Sequence, residues 1–485
     1  MLSPILIIFI LVLYFSILIF IGKITSFNSS DDSFFLGERK SPWYVVAYGM
    51  IGATLSGITF LSVPGWVAEK EFFYMQMVLG YVPGYIFVAY VLMPIYYDMK
   101  LYSIYEYLNE RFGYYTHKSG AGYFFLSRLL GASLRLYLVA LVLQSLLFNQ
   151  IGIPFSITTL LTILLIWLYT YRGGIKTIIW TDTLQTSFMI LTVIVCLFIL
   201  FKALDYSSIT ESINSNNLNL GIFCWTNFNN DFNFFRSFFA GMFIAIAMTG
   251  LDQDMMQKNL SCKNLKEAQK NMLWFSVILV IVNILFLYLG ALLYQYADLN
   301  NIITRGDTLF VDVIKYGELG IFVGVLFLLG LMSAAYSSAD SALTSLTTCL
   351  YVDFLGLEKD VQKERLISKR TSIHILVSVL LFAVILTVNQ LNNNSIISTL
   401  FLLASFTYGP LLGLFMFGLF TTRKVVDRLV PIVVVLAPLF SYILYRYDVQ
   451  IFNGFDFGPD LLIVNGLITC FLLLLISNKE NKSVI

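Results

Sequence analysis

The chain has 485 residues, of which 58% are hydrophobic and only 12% are charged, and its formal net charge is +1. Soluble domains carry about 25% charged residues, so this composition excludes an ordinary soluble protein and indicates a membrane protein. The net charge close to zero predicts no nucleic-acid partner.

Apolar segments of about 20 residues, the length that an α-helix needs to cross the hydrocarbon core, recur along the chain. The predicted spans are 2–22, 42–66, 73–97, 120–148, 153–171, 177–203, 237–257, 272–297, 319–350, 371–389, 396–420, 429–445 and 460–477. The first lacks a basic start and a small-residue cleavage site, so we expect a retained helix rather than a signal peptide. The chain is therefore predicted to be an all-α polytopic membrane protein with about thirteen transmembrane helices.

The positive charges predict how the helices are oriented. Alternate connections hold 22 of the 30 Lys and Arg residues. Short basic loops stay on the cytoplasmic side. We therefore expect a multi-pass protein of the plasma (inner) membrane, with its N-terminus outside and its C-terminus in the cytoplasm.

The sequence contains few signs of enzymatic chemistry. It has no H-E-x-x-H, no paired C-x-x-C and no nucleotide-binding G-x-x-x-x-G-K-S/T loop, which argues against a metalloenzyme or an ATP-driven pump. No nucleophile–base set stands out, and the five cysteines are scattered. We expect no enzyme, no cofactor and no obligate protein partner, with the function located inside the helical bundle.

A polar stripe runs through the ninth apolar segment, where residues 333–345 read SAAYSSADSALTS. At helical spacing, one face collects Ala334, Ser337, Asp340, Ser341, Thr344, Ser345 and Thr348. Such a face is costly in lipid, so it is expected to contact another helix or water. Close packing of small residues would explain the serines and threonines alone. Asp340 favours a cation site instead.

The second segment is the expected partner of this stripe. Hard cations need several oxygen ligands, which hydroxyls, carboxylates and the carbonyls of an unwound membrane helix supply. Residues 48–65 read YGMIGATLSGITFLSVPG, and their glycines predict unwinding between Gly52 and Gly57. Counted at helical rise, Leu55 and Ser337 lie at about the same depth. The two segments are therefore predicted to meet near the membrane midplane.

Two arginines, Arg128 and Arg135, fall inside the fourth apolar segment. Charged groups at this depth are costly and therefore suggest a function. A structural ion pair or a carbonyl contact is the alternative for Arg128. Arg135 lies nearer the middle of the segment. The longest loop, 204–236, is rich in Asn and aromatic residues, so it is either a lid over an outer vestibule or a plain surface loop.

Several motifs together resemble the sodium/solute symporters, a family of proline, sugar, sialic acid and pantothenate carriers. They are LGERKSPWYVVAYGMIGATLSG (36–57), RGGIKTIIWTDTLQ (172–185), GLDQDMMQKNLSCKNLKEAQK (250–270) and AAYSSADSALTSL (334–346). The resemblance implies a single transporter domain with a LeuT-like core of two inverted five-helix repeats. The repeats would be 42–203 and 237–420, preceded by an extra N-terminal helix at 2–22 and followed by two C-terminal helices within 429–477.

The resemblance also implies the cation sites. The main sodium site would consist of Gly52, Leu55, Ala334, Ser337 and Ser338. Many relatives have alanine at position 52, a difference expected to matter little because the ligand is a carbonyl. A second cation site would consist of Asp182, Asp340 and Ser341. Asp340 departs from the family's usual hydroxyl, so this pair of carboxylates would either strengthen cation binding or hold a proton. Alternatively, Asp182 supports helix packing or pairs with Arg128.

For the solute, the helix-break groups Thr54, Ser56 and Thr59 are expected to face a midplane cavity, together with Phe72 and Gln76 from the next helix and Arg135 at a similar depth. The resemblance implies that Arg135 and Gln76 bind a solute carboxylate. A bidentate arginine suits a carboxylate. The expected function is therefore sodium-coupled import of a small, carboxylate-bearing organic solute, such as a sialic acid, by alternating access. The partners are this solute, sodium as the coupling ion and the lipid bilayer. The alternatives are a sugar or amino-acid symporter, a sensor that keeps the fold without transporting, and a passive channel.

Overall fold

The computed structural model describes residues 3–26, 31–171, 173–208, 211–212, 221–226, 228–229, 232–357, 363–391 and 396–478. Its main helices are α1 (Pro4–Thr25), α2 (Trp43–Thr54), α3 (Gly57–Gly65), α4 (Tyr74–Asp98), α5 (Tyr114–Ile151), α6 (Phe155–Thr170), α7 (Gly174–Ala203), α8 (Phe234–Gly250), α9 (Gln253–Leu260), α10 (Leu265–Leu299), α11 (Ile321–Phe354), α12 (Lys363–Leu391), α13 (Ile396–Phe420), α14 (Val430–Ile451) and α15 (Leu461–Leu475). Short helices lie at Asp31–Leu36, Gly37–Arg39, Val67–Lys70, Glu106–Arg111, Gly306–Thr308, Leu309–Tyr316 and Asp427–Leu429. The two-residue strand Lys424–Val425 pairs antiparallel with Ser477–Asn478.

The helices agree with a polytopic membrane protein. Within the described residues, nine helices are long and apolar enough to cross a membrane, and the bent pairs α2/α3 and α8/α9 pass the same test. The apolar helices α6 and α15 are shorter, with 16 and 15 residues. Each predicted span coincides with one of these elements. This confirms the all-α polytopic architecture, while the number of helices that cross the membrane stays a prediction.

The first bent pair breaks where the glycine pattern predicts. Helix α2 ends at Thr54, Leu55 and Ser56 have non-helical ψ angles of 73° and 174°, and α3 begins at Gly57. The two halves meet at 60°. The last four carbonyls of a helix have no partner within it, so the break frees oxygens in the middle of a buried span. The predicted unwinding between Gly52 and Gly57 is confirmed.

The second bent pair breaks between Gly250 and Gln253, at an angle of 65°. The Asp252 carboxylate begins α9 as its N-cap by accepting from the amides of Asp254 (2.9 Å) and Met255 (3.4 Å). A charged cap satisfies donors that the interrupted helix would leave unpaired. Each break lies in the first membrane segment of one of the two predicted repeats.

Helix α11 lies at the centre of the bundle. It packs against α7, α5 and α2, and every residue from Gly330 to Thr348 is buried. The polar stripe predicted from the sequence therefore faces other helices rather than lipid. This enclosure allows a membrane helix to carry Asp340 and several hydroxyls without exposing them to hydrocarbon.

An ion-pair cluster outside the membrane spans connects the segment before α2 to the start of α7. The Glu38 carboxylate accepts from Lys176 at 3.1 Å and from Lys40 at 3.2 Å. The hydrogen bond from Lys176, followed by that from Lys40, lowers the pKa of Glu38. Two of the sequence motifs that carry the resemblance therefore meet here.

Helices α4 and α8 approach each other through glycines. A Cβ at Gly80 would overlap the carbonyl oxygen of Phe238, and a Cβ at Gly241 would overlap the carbonyl oxygen of Met77. Because these obstacles are backbone atoms, a side-chain rotation cannot relieve the overlap. The glycines therefore set the distance between the two helices.

We expect Gly80→Ala and Gly241→Ala each to destabilise the protein by about 1–3 kcal/mol, the usual cost of overpacking. Thermal unfolding of the purified protein in detergent measures this loss as a lower midpoint. Gly122→Ala in α5 is the matched control, because a Cβ there would meet only the Phe354 ring, at 3.9 Å. Its midpoint should be unchanged or slightly higher, and equal midpoints for all three variants would contradict the prediction.

Candidate functional site

The break in α2 lies against the polar stripe of α11. A methyl group at Gly52 would stand 3.3 Å from the Ser337 hydroxyl oxygen, so the two predicted sodium-ligand positions are neighbours. Leu55 lies at the break, and Ala334 and Ser338 are fully buried within α11. The C-terminal end of α2, with its partial negative charge, therefore lies beside the Ser337 hydroxyl, and Ser338 is the next residue of α11. This combination suits a monovalent cation.

Gly52 is also held by α7. Its amide donates to Thr186 Oγ1 at 3.1 Å, and a Cβ at this position would overlap that oxygen. An alanine at this position is therefore unfavourable for the packing of this chain, whereas the role of the residue 52 carbonyl as a sodium ligand stays a prediction. The obstacle is the neighbouring Thr186 Oγ1, which leaves no room for a methyl group at position 52.

Ser337 belongs to a buried charged group. Its hydroxyl donates to Asp182 Oδ1 at 2.5 Å, and the other oxygen of that carboxylate accepts from Lys258 Nζ at 2.7 Å. All three side chains are at most 1% exposed. The ammonium neutralises the carboxylate, and the carboxylate fixes the direction of the Ser337 hydroxyl hydrogen. The oxygen lone pairs of Ser337 are thereby left for another partner.

Ser338, the next residue, has a different partner. Its hydroxyl oxygen accepts from the Arg135 guanidinium at 3.1 Å. Arg135 lies on α5, so this hydrogen bond joins α5 to α11 within the predicted sodium site. The two adjacent serines are therefore held by opposite charges, Ser337 by a carboxylate and Ser338 by a guanidinium.

The side chains of the three residues predicted for a second cation form no hydrogen bond with one another among the described contacts. Asp182 binds Ser337 and Lys258, whereas Asp340 accepts from the Tyr169 hydroxyl at 2.9 Å. The Ser341 hydroxyl donates to the carbonyl of Ser337 within its own helix, at 2.7 Å. All three predicted residues are fully buried, and their role as cation ligands stays a prediction.

Arg128 takes part in a different buried network. It pairs with Asp254, and its distance to the Asp252 carboxylate is 3.9 Å. Tyr408 donates to the same Asp252. The alternative that Asp182 pairs with Arg128 is therefore wrong, because Asp182 binds Lys258. Of the two interpretations left open for Arg128, the structure therefore shows the ion pair, and this pair braces α5 against α9.

A cavity of about 100 Å³ lies beside the break in α2. Its lining includes the predicted solute contacts Thr54, Ser56, Thr59 and Arg135. Drug-sized ligands occupy pockets of about 300 Å³ or more, so the cavity has to widen to hold a sugar acid. We refer to it as the central cavity.

Phe72 and Gln76 are not among the residues that line the central cavity. The Gln76 amide donates to the carbonyl of Phe232 at 2.9 Å and accepts from the amide of Cys224 at 2.9 Å. Gln76 therefore anchors the 204–236 loop in this structure, so the prediction that it faces the solute cavity is not met here. The Gln76 side-chain nitrogen and oxygen both bond to backbone groups, so the residue has a structural role, which the sequence did not reveal.

Sequence reasoning missed two residues of the site. Lys258 is one of the 22 basic residues counted in the connections expected to be cytoplasmic, but α9 carries it into the bundle, where it is 1% exposed. The available signal was Asp182, an acid inside the sixth apolar segment, since a buried acid requires a cationic partner. Asn283 on α10 lines the central cavity, is 1% exposed, and its Oδ1 accepts no hydrogen bond from the described residues. The available signal was its position, since Asn283 is the one polar residue in the apolar run 277–287, VILVIVNILFL.

A second cavity, of about 470 Å³, lies next to the central one. Tyr74 and Phe401 line both cavities and so stand between them. Phe232 from the 204–236 loop lines this second cavity, which we call the outer cavity. The end of that loop therefore contributes to the wall of the outer cavity, while its role as a lid or as a plain surface loop stays a prediction.

Comparisons with known proteins agree with this geometry. The chain matches the model of the sodium:solute symporter family over residues 34–426. It is 26% identical over 461 residues to the sodium/sialic acid symporter NanT of Aliivibrio fischeri, with 91% of this chain and 88% of the relative covered. It is 25% identical over 460 residues to the sodium/sialic acid symporter SiaT of Proteus mirabilis, with 91% and 90% covered.

Among solved structures, the fold is similar to that of a substrate-bound, outward-open Na⁺-coupled sialic acid symporter. The TM-score is 0.81 at 20% identity, and 97% of each chain is covered. This likeness confirms the predicted fold class, with its LeuT-like core. Because the family model matches most of the chain, the protein belongs to the sodium:solute symporter family.

Proposed function

We propose that this protein couples the entry of sodium to the import of a small organic carboxylate, of the sialic acid class, by alternating access. The observation that carries the proposal is the juxtaposition of two sites. The Ser337 hydroxyl lies beside α2 just before its break, and Arg135 reaches both the adjacent Ser338 and the central cavity. An ion site and a solute site that share a residue can be thermodynamically coupled.

The lining of the central cavity favours a polyhydroxylated acid. Arg135 offers the planar donors that match a carboxylate. Thr54, Ser56 and Thr59 offer hydroxyls, and Asn283 offers an acceptor for a solute hydroxyl or amide. The relatives named as sodium/sialic acid symporters support this class. A neutral sugar or amino acid would make no use of the guanidinium charge and is the second candidate.

The main sodium ligands in this proposal are Gly52, Leu55, Ala334, Ser337 and Ser338. A second cation at Asp182, Asp340 and Ser341 would compete with the Lys258 ammonium, which binds Asp182 at 2.7 Å. We therefore propose that any second cation binds only after Lys258 has moved. The alternative of a proton on one of the two carboxylates would need no such movement.

Alternating access requires elements that change their relative positions. We propose that the repeats at 42–203 and 237–420 move about the broken helices, with the N-terminus outside and the C-terminus in the cytoplasm. Tyr74 and Phe401, the rings between the two cavities, would then separate the solute from the outside. Sodium shifts this equilibrium only if it binds the outward-open state more tightly.

The sodium site is tested by thermal stability in detergent, with sodium titrated against potassium at constant ionic strength. Sodium at 100 times its dissociation constant should stabilise the protein by about 2.7 kcal/mol. Ser337→Ala/Ser338→Ala should lose this sodium-specific shift. Ser276→Ala on α10 should retain it, since among the described residues that hydroxyl bonds only within its own helix turn. A parent protein that responds equally to both salts would overturn sodium coupling and favour proton coupling or a sensor.

The carboxylate is tested by comparing a sialic acid with its methyl ester as competitors of radiolabelled sialic acid uptake in proteoliposomes. The parent should prefer the acid strongly, because the ester cannot form the charged pair with Arg135. Arg135→Gln should bind both compounds with similar, weak affinity. A parent that accepts the ester as readily as the acid would favour the neutral-solute alternative. Flux without saturation would indicate a channel.

Asn283→Leu should weaken solute binding, because the cavity loses its free amide acceptor. The expected loss is about 1 kcal/mol, roughly a fivefold rise in the dissociation constant. Isothermal titration calorimetry at saturating sodium measures it. Sodium affinity without solute should stay at the parental value, and an unchanged solute affinity would exclude contact between Asn283 and the solute.

A further inference from the structure

The two sodium-site serines are prepared for sodium to different degrees. Ser337 donates its hydrogen to Asp182, whose charge is balanced by Lys258, and its lone pairs remain available. Ser338 instead accepts a hydrogen bond from Arg135 at 3.1 Å. One of the predicted sodium ligands, Ser338, is therefore already hydrogen-bonded to a permanently charged guanidinium.

A guanidinium and a sodium ion compete for binding to the Ser338 hydroxyl oxygen. Arginine is a donor without acceptor capacity and stays charged in proteins, so it occupies one lone pair of the hydroxyl oxygen. Its charge also repels a cation at the same oxygen, and this repulsion is strong because Ser338 is fully buried, away from screening water. Sodium must therefore bind against Arg135 as long as this contact persists.

Arg135 has a second position available to it. Its side chain also lines the central cavity, and its Nε donates to none of the described residues. A carboxylate in that cavity would offer a bidentate, oppositely charged partner, which is a stronger acceptor than a neutral hydroxyl. Turning toward the solute would satisfy the free Nε and remove the guanidinium from Ser338.

We propose that Arg135 is the coupling residue: without solute it guards Ser338 against sodium, and the solute carboxylate draws it away. Sodium and solute then strengthen each other's binding by the same factor, as thermodynamic linkage requires. This inference rests on the proposed function, because it needs both a sodium ion at Ser338 and an anionic solute in the central cavity. Arg135 acts on sodium through its position and is not itself a sodium ligand.

The test measures the sodium dissociation constant of the purified full chain with and without a saturating sialic acid, by binding of radioactive sodium. In the parent, the acid should tighten sodium binding at least about fivefold, within the usual range of allosteric coupling. The methyl ester should have little effect. Arg135→Gln should bind sodium at least about fivefold more tightly than the parent without solute, and the acid should then change nothing.

This gain in affinity is the decisive readout, because a variant that merely damages the fold would weaken sodium binding. Arg135→Lys is the companion variant: it keeps the positive charge, so it should not show the full gain. Arg305→Gln, an exposed cation outside both cavities, is the matched control and should retain the parental sodium affinity and coupling. The acid–ester comparison in the parent needs no variant and remains informative if Arg135→Gln does not fold.

The outcomes separate the two proposals. A parent without sodium-specific binding would overturn the proposed function itself. If the parent binds both sodium and solute, the proposed function stands. If Arg135→Gln then binds sodium no more tightly than the parent and keeps the coupling, only the role of Arg135 is overturned. Equal tightening of sodium by acid and ester would have the same meaning, since the solute would then act without its charge.

Discussion

The buried ion pair between Asp182 and Lys258 is the interaction on which the rest of the site depends. It joins α7 to α9, and through Ser337 it reaches α11. Removing one partner of such a pair typically costs about 3–5 kcal/mol, because the other charge is left buried and uncompensated. The pair also spans the two predicted repeats, since Asp182 lies in the first and Lys258 in the second. Any movement of one repeat against the other must keep this pair intact or replace one of its partners.

The broken helices make this arrangement possible. A continuous helix would satisfy its own carbonyls and present only side chains, whereas the break after Thr54 frees backbone oxygens beside Ser337. The second break, capped by Asp252, turns α9 so that Lys258 enters the bundle. Arg128 and Tyr408 then balance the acids at that turn. Unsatisfied polar groups are costly in a membrane, so each break is accompanied by charged or hydroxyl partners.

Much of the fold and part of the site followed from the sequence. Hydropathy located all the long apolar helices, because a membrane helix needs a long apolar run, whereas the short polar helix α9 carries no such signal. The break in α2 followed from its glycines, and the enclosure of α11 followed from its polar stripe. The residues that line the central cavity were predicted less well. Thr54 and Arg135 lie there, but Gln76 anchors an outer loop instead, because its partners come from residues about 150 positions away in the chain.

The sequence by itself determined that the chain is helical and that it is a membrane protein. It also determined that a polar helix must be buried away from lipid. These properties depend on composition and on periodicity within single segments. Only the tertiary structure decided which charges meet. Lys258 binds Asp182 and Arg128 binds Asp254, although the order of residues would equally have allowed Arg128 to bind Asp182. The same is true of Arg135 and Ser338, which are 203 positions apart. Such pairs depend on the angle and depth at which separate helices cross, and no local pattern encodes either quantity.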